Sequence, residues 1–150
     1  MEKPAVDSPS VQTYLTLLQS VINRMAANSS NCKTWCITLV SAIAVLAFEK
    51  TKPNYVWISL IPTILFLFLD SYYLFLEKQF RARYNSFVDK LHAETATIQD
   101  LFIIAPGNKV PANISDVIEV FGSFSIWPFY GLLIMMIVVM RIWIFNFTCF

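Results

Sequence analysis

The chain has 150 residues, 57% of them hydrophobic and 14% charged, with a mean hydropathy of +0.58 and a formal net charge of +1. Soluble domains carry about 45–50% apolar and about 25% charged residues, so the composition argues against a water-soluble globular class. The length suits one domain, and sparse charges without a long basic run speak against nucleic acid as a partner.

Residues 1–8 read as disordered. They combine Pro4 and Asp7 and show no basic stretch followed by a greasy one, so no signal peptide is expected and the hydrophobic segments are expected to stay in the mature protein. Ser8 and Pro9 resemble a helix start, with proline in the first turn. From there Val11, Tyr14, Leu15, Leu18, Ile22 and Met25 recur at helical spacing, with Gln12, Thr13, Thr16, Gln19, Ser20 and Asn23 opposite. This predicts an N-terminal amphipathic helix over 9–31, broken by Asn28-Ser29-Ser30-Asn31. Helices that lie in the membrane surface are rich in Lys and Arg. This one has only Arg24, which favours packing on a cytoplasmic helix or a neighbouring subunit.

Residues 32–94 read as a transmembrane hairpin with a cytoplasmic helical extension. The first span, Thr34 to Phe48, is shorter than the ~20 residues that cross a bilayer. Asn31 to Lys33 and Glu49 to Lys50 would serve as snorkelling flanks, with a re-entrant or interfacial helix as the alternative. Cys32 and Cys36 lie one turn apart, lack the CxxC form, and are far in sequence from His92, the only histidine. They read as packing residues, with no metal site. Thr38, Ser41, Ala42 and Val45 form a small-residue face expected to meet the second span across a tight outer loop at 49–54.

The second span, Tyr55 to Leu76, does not stop cleanly, because no Gly or Pro follows until Pro106. One helix from about Val56 to about Glu94 is predicted, roughly 57 Å long. Its projecting stripe of Phe80, Tyr84, Phe87, Val88 and Leu91 needs a partner, and the N-terminal helix is the natural one. Pro62 can kink this helix, and such a kink could serve a gate.

Within that span Ser59, Thr63, Phe66, Asp70, Tyr73 and Glu77 share one face. Ionisable groups inside a span are costly and face a bundle interior or a wet cavity. Asp70 lies ~22 Å down the axis from Tyr55, in the inner third. Arg141, on a span of opposite direction, lies ~24 Å from Ser125, in the outer third. The two are therefore poorly matched in depth. Asp70 is expected to meet the Tyr72 or Tyr73 hydroxyls, Lys33, Lys78, or the same helix of another subunit, and Arg141 to snorkel to the outer headgroups. Three roles for Asp70 stay open: a bond holding the bundle, pore lining or gating, and proton sensing.

Residues 95–123 read as a small cytoplasmic lobe. Ile98 to Ile104 is expected as a short strand or helix, Pro106-Gly107-Asn108 and Pro111 as turns, and Asp116 to Phe121 as a short amphipathic helix. Asp100 and Asp116 read as surface charges or caps. The sequon Asn113-Ile-Ser115 would be silent in the cytoplasm. Residues 124–150 carry the third span, Ser125 to Phe147, with Pro128 in its first turn and Trp127, Tyr130 and Trp143 as interfacial aromatics.

Lys and Arg set the orientation. Lys3, Arg24, Lys33, Lys78, Arg81, Arg83, Lys90 and Lys109 fall on one side, against Lys50, Lys52 and Arg141 on the other. That predicts a cytoplasmic N-terminus, a cytoplasmic middle region and an outer C-terminus. The class is an all-α membrane protein of three transmembrane helices, the second extended into the cytoplasm. Nothing matches GxSxG, HExxH, a Walker loop or a Rossmann glycine pattern, so no enzyme, catalytic residue, metal or cofactor is expected.

The stretches INRMAANS (22–29) and LDSYYLFLEKQFRARY (69–84), joined by Lys33, Trp35, Leu39, Val40, Pro62, Leu65 and Phe66, resemble a widespread group of small prokaryotic three-span membrane proteins. The resemblance covers about Leu15 to Val88 plus the third span. Arg83 stands before Tyr84 where that group commonly has leucine. More loosely, in architecture rather than residues, the chain is similar to transmembrane effectors of bacterial nucleotide-signalling and anti-phage systems. The resemblance implies a polar network of Asn23, Arg24, Lys33, Asp70, Tyr73, Glu77 and Arg81 at the cytoplasmic mouth, with Thr63 above it. It also implies a homo-oligomer in the bacterial inner membrane that conducts ions or permeabilises the bilayer. The alternative is a non-conducting anchor or scaffold for a cytoplasmic partner protein.

Overall fold

The computed structural model describes residues 8–49, 53–105 and 122–148. They are all helical or irregular, without a strand. Helix α1 spans Pro9–Glu49, a 3-10 turn spans Pro53–Ser59, α2 spans Leu60–His92, a second 3-10 turn spans Ile98–Asp100, and α3 spans Trp127–Thr148. Three helices are long and apolar enough to cross a membrane. The sequence expectations for residues 1–7, the loop at 50–52 and the 106–121 part of the lobe lie outside the described residues.

The break expected at Asn28–Asn31 is absent, and α1 runs on as one helix of 41 residues. Ser and Asn cost only about 0.5 kcal/mol each in a helix relative to alanine. Here Ser29 and Cys32 are buried on the same face as Met25 and Cys36, and that continuous packing outweighs the local preference. The amphipathic helix and the first span are thus one rod, about 61 Å long.

α2 follows the expected long helix, with its start altered. Residues 53–59 wind as a 3-10 turn and the α-helix begins only at Leu60. Pro62 therefore sits in the first α-helical turn, where a missing N–H costs little, and not at the interior kink that the sequence suggested. The Ser59 hydroxyl donates to the Val56 carbonyl (2.6 Å) and Thr63 to that of Ser59 (2.8 Å), stitching the changeover. At the far end Glu94 takes a left-handed φ of 54°, and the Thr95 N–H returns to the Lys90 carbonyl at 3.0 Å, closing the helix.

α1 and α2 pack antiparallel in a constant register. Tyr14 meets Phe87 edge-on at 4.8 Å between ring centroids, and Ser29 and Lys33 meet Asp70. Each apolar stripe covers the other: Val11, Tyr14, Leu18, Ile22 and Met25 bury Phe80, Phe87 and Leu91. This is the partnership the sequence predicted. α3, about 33 Å long, covers only the other half of the pair. There Ile126, Tyr130, Leu133, Ile137 and Ile144 join Cys36, Val40, Val56 and Phe75 in a second cluster. The result is a three-helix bundle continued by a two-helix stalk, with residues 95–105 folded against the stalk's tip.

Two sequence expectations need correction. Ile98–Asp100 is a short 3-10 helix, so the helical alternative holds there, but 101–105 are irregular and do not continue it. The Thr38, Ser41, Ala42 and Val45 face does not meet the second span. All four residues are exposed, and α1 instead contacts its neighbours through Cys32, Cys36, Val40 and Ala47.

Candidate functional site

The bundle passes into the stalk at a polar junction. Helical spacing of three and four residues puts Ser29, Cys32, Lys33 and Cys36 on the α1 face that looks at α2. From α2 the facing residues are Thr63, Asp70 and Ser71, all essentially buried. α3 contributes Tyr130, also buried.

Asp70 is wholly inaccessible to solvent, and its carboxylate is met from α1 on both oxygens. The Ser29 hydroxyl donates to Oδ1. Lys33 Nζ lies 2.8 Å from Oδ2 and 3.3 Å from Ser29 Oγ, to which it donates. The Lys33 side chain keeps 20% of its surface exposed, so the cation reaches the edge of the bundle while the anion does not. The Tyr130 hydroxyl is buried near Asp70 and has no hydrogen-bond partner among the described residues.

Exposed aromatics mark the level of this junction. Trp35 and Tyr72 each lie two residues from a member of the ion pair, and Trp127 lies three residues before Tyr130; all three are exposed. Tyr55, Trp57 and Trp143 are exposed at the opposite end of the bundle. Between the two rings the chain runs from Tyr55 through the 3-10 turn and along α2 to Tyr72, about 28 Å. Aromatics of this kind settle at membrane–water boundaries. The pair therefore sits level with one aromatic ring, at the end of the bundle's apolar outer surface.

Of the polar residues singled out from the sequence, Lys33 and Asp70 are the pair that meets across α1 and α2, with Thr63 on the same buried face farther along α2 near Cys36. Glu77 pairs with Arg81 one turn on, at 2.8 Å along the α2 surface. Asn23 is exposed and accepts from Gln19 at 3.3 Å. Arg24 is exposed and makes no hydrogen bond or ion pair among the described residues. Tyr73 is half-buried, with its ring tilted against Tyr72 at 5.9 Å. Arg141 is far from Asp70, as the depth estimate required; its guanidinium lies over the Trp57 ring, 5.1 Å from the centroid. The single wide network expected from the resemblance is thus a compact clamp plus separate surface contacts.

Sequence reasoning missed Ser29 and Tyr130. Ser29 was hidden in an apparent helix breaker, although it lies one turn before Lys33 on the Cys32–Cys36 face. Tyr130 resembled an interfacial anchor.

A second polar feature lies on α1's outward face. Ser30, Asn31, Thr34, Thr38 and Ser41 are all exposed along the half of α1 that packs in the bundle. The Thr34 and Thr38 hydroxyls donate to the carbonyls four residues back, at 3.2 and 2.9 Å. In the candidate spans over residues 55–76 and 127–146 no Ser or Thr is exposed; apart from Pro128 and Asn146, the exposed residues there are Leu, Ile, Val, Met, Phe, Trp and Tyr. Exposed Ser and Thr side chains within the spans are therefore concentrated on one helix, opposite its buried seam. Among the described residues no three His, Cys, Asp or Glu side chains come together as a metal centre. Comparison with protein-family models, with curated proteins and with solved structures finds no match.

Proposed function

We propose that the chain is an inner-membrane protein of bacteria that assembles from several copies into an ion-conducting or permeabilising unit, with the α1 stripe of Ser30, Asn31, Thr34, Thr38 and Ser41 turned toward the shared axis. The observation that carries this reading is the concentration of the bundle's exposed Ser and Thr side chains on that one stripe. Lipid tails cannot solvate polar groups, whereas small hydroxyl residues let helices approach closely and line water well. The apolar faces of α2 and α3 are then left for lipid. In this reading Asp70 and Thr63 do not line the pore. They belong to the Lys33–Asp70–Ser29 clamp that fixes α1 against α2, and so fix which way the stripe points.

The Lys and Arg distribution supports a cytoplasmic stalk and 95–105 region. A role as an anti-phage effector rests on the looser resemblance to such effectors. Such an effector would be a small pore that collapses the membrane potential on a cytoplasmic signal.

The test is flux. Purified protein in liposomes should release potassium or a small trapped dye, and overproduction should depolarise cells. Infected cells carrying the chain should stop growing before phage matures. Tight liposomes and unperturbed cells would instead favour a non-conducting anchor for a cytoplasmic partner protein. One feature supports that second reading: Ile98, Phe102, Ile103 and Ile104 are exposed together beside the stalk's tip.

A further inference from the structure

At the tip of the stalk, Tyr14, Arg83, Ser86, Phe87, Lys90 and Asp100 line a half-open cavity of about 130 Å³. The space is ample for several waters or one phosphate-sized group. Its walls differ in what they have left to offer. Asp100 is fully engaged: Oδ1 accepts from Lys90 Nζ at 2.6 Å, and Oδ2 accepts from the Thr97 N–H at 3.0 Å and the Thr97 hydroxyl at 2.8 Å. The Tyr14 hydroxyl is committed to the Ile103 carbonyl at 2.9 Å.

The donors are less occupied. Arg83 is half-buried and makes no hydrogen bond or ion pair among the described residues. Ser86 stands three residues on, one turn along the same helix face, and has no partner among them either. Lys90, one further turn along, gives Asp100 one of its three N–H groups. A cavity with a free guanidinium, a free hydroxyl, a shared ammonium and no free carboxylate is complementary to an oxyanion, and arginine's planar fork suits phosphate or carboxylate bidentately.

We infer that this cavity is a binding site for a small soluble oxyanion, a phosphate or phosphate-monoester group held by Arg83, Ser86 and Lys90. Lipid headgroups do not supply it. Arg83 lies 11 residues beyond Tyr72, about 16 Å along α2, and Lys90 about 27 Å, whereas headgroups extend only ~5–8 Å past the hydrocarbon. The ligand therefore comes from the aqueous phase on the stalk side. The inference is independent of conduction, since it concerns only the stalk.

The test uses the full chain in detergent, titrated calorimetrically with inorganic phosphate and separately with glycerol phosphate, at constant ionic strength with chloride as the control anion. Saturable binding of both anions is expected, weakened at least tenfold in Arg83→Gln and severalfold in Ser86→Ala. Arg24→Gln, which removes an equivalent charge from α1, should leave it unchanged. Phosphate alone binding would make the free ion the ligand, and glycerol phosphate binding more tightly would make it the phosphate group of a metabolite. No saturable binding up to ~10 mM, or equal affinities in the Arg83→Gln and parent proteins, would overturn the assignment.

Discussion

Lys33 Nζ lies 2.8 Å from Asp70 Oδ2, and the two side chains differ in access to water: 20% of Lys33 is exposed and none of Asp70. The asymmetry follows from their reach. A lysine stem carries its charge to the rim of the bundle, while the short aspartate stem leaves the carboxylate where α1 and α2 close over it.

Removing either partner should therefore have unequal costs. Lys33→Met strands a buried carboxylate, for which about 3–5 kcal/mol is the usual loss. Asp70→Asn leaves an ammonium that can still reach water, and an amide that can still accept from Ser29, so its loss should be clearly smaller. The double variant should be more stable than Lys33→Met alone, because no uncompensated charge remains. Reversible unfolding in mixed micelles measures all three, and a Lys33→Met protein as stable as Asp70→Asn would contradict the clamp.

Tyr14 ties the 95–105 region to the stalk through one bond to the Ile103 carbonyl while its ring packs edge-on against Phe87. Tyr14→Phe keeps the ring and deletes the bond. A net loss of about 1 kcal/mol is expected, felt locally. Amide exchange over residues 98–104 should rise about fivefold, while the melting of the three-helix bundle stays put. Unchanged exchange would mean the tie contributes nothing.

Asp100 anchors the same region from its other end. The Lys90 ammonium bonded to it, assisted by the Thr97 N–H and hydroxyl, holds its carboxyl down at about 2. A carboxyl lowered in the folded state stabilises that state above its unfolded value near 4, and the contribution is lost as pH falls through the folded value. Docking of 95–105 should thus be constant from neutral pH to ~4 and weaken between ~4 and ~2. Asp100→Asn should remove that step. Exchange over 95–104 measured against pH reads it directly, and an identical profile in the variant would refute the assignment.

Much of this arrangement was legible in the residues. The 3.6 period of Val11 to Met25 and the stripe from Phe80 to Leu91 were each too apolar to stand alone, so their pairing followed. The depth of Asp70 relative to Arg141 followed from 1.5 Å per residue. Other features depend on contacts that no local pattern carries. Asn28–Asn31 looks like a breaker because propensity is local, and it stays helical because Ser29 and Cys32 are buried against another helix. The small-residue face of Thr38 and Ser41 pointed inward by analogy with close-packed helices. Yet α1 already had a fuller seam at Cys32, Cys36 and Val40, which left the hydroxyls outside.

That outward stripe gives the sharpest test of the proposed conduction. With the native cysteines replaced by alanine, single cysteines at Ser30, Thr34, Thr38 and Ser41 would face a water-filled axis, whereas cysteines at Leu39 and Leu46 would face lipid; both leucines are exposed on another side of α1. The thiolate, which forms only where water reaches, attacks charged thiol reagents. The four stripe positions should therefore react rapidly, and each modification should block potassium flux from liposomes. Leu39 and Leu46 should react slowly and leave flux intact. Because all six positions are exposed in a single copy, a lone chain in detergent would label them alike, so the contrast should develop only in the assembled membrane form. Uniform labelling in liposomes, or flux indifferent to a bulky charge at Thr38, would place the water path elsewhere than along α1.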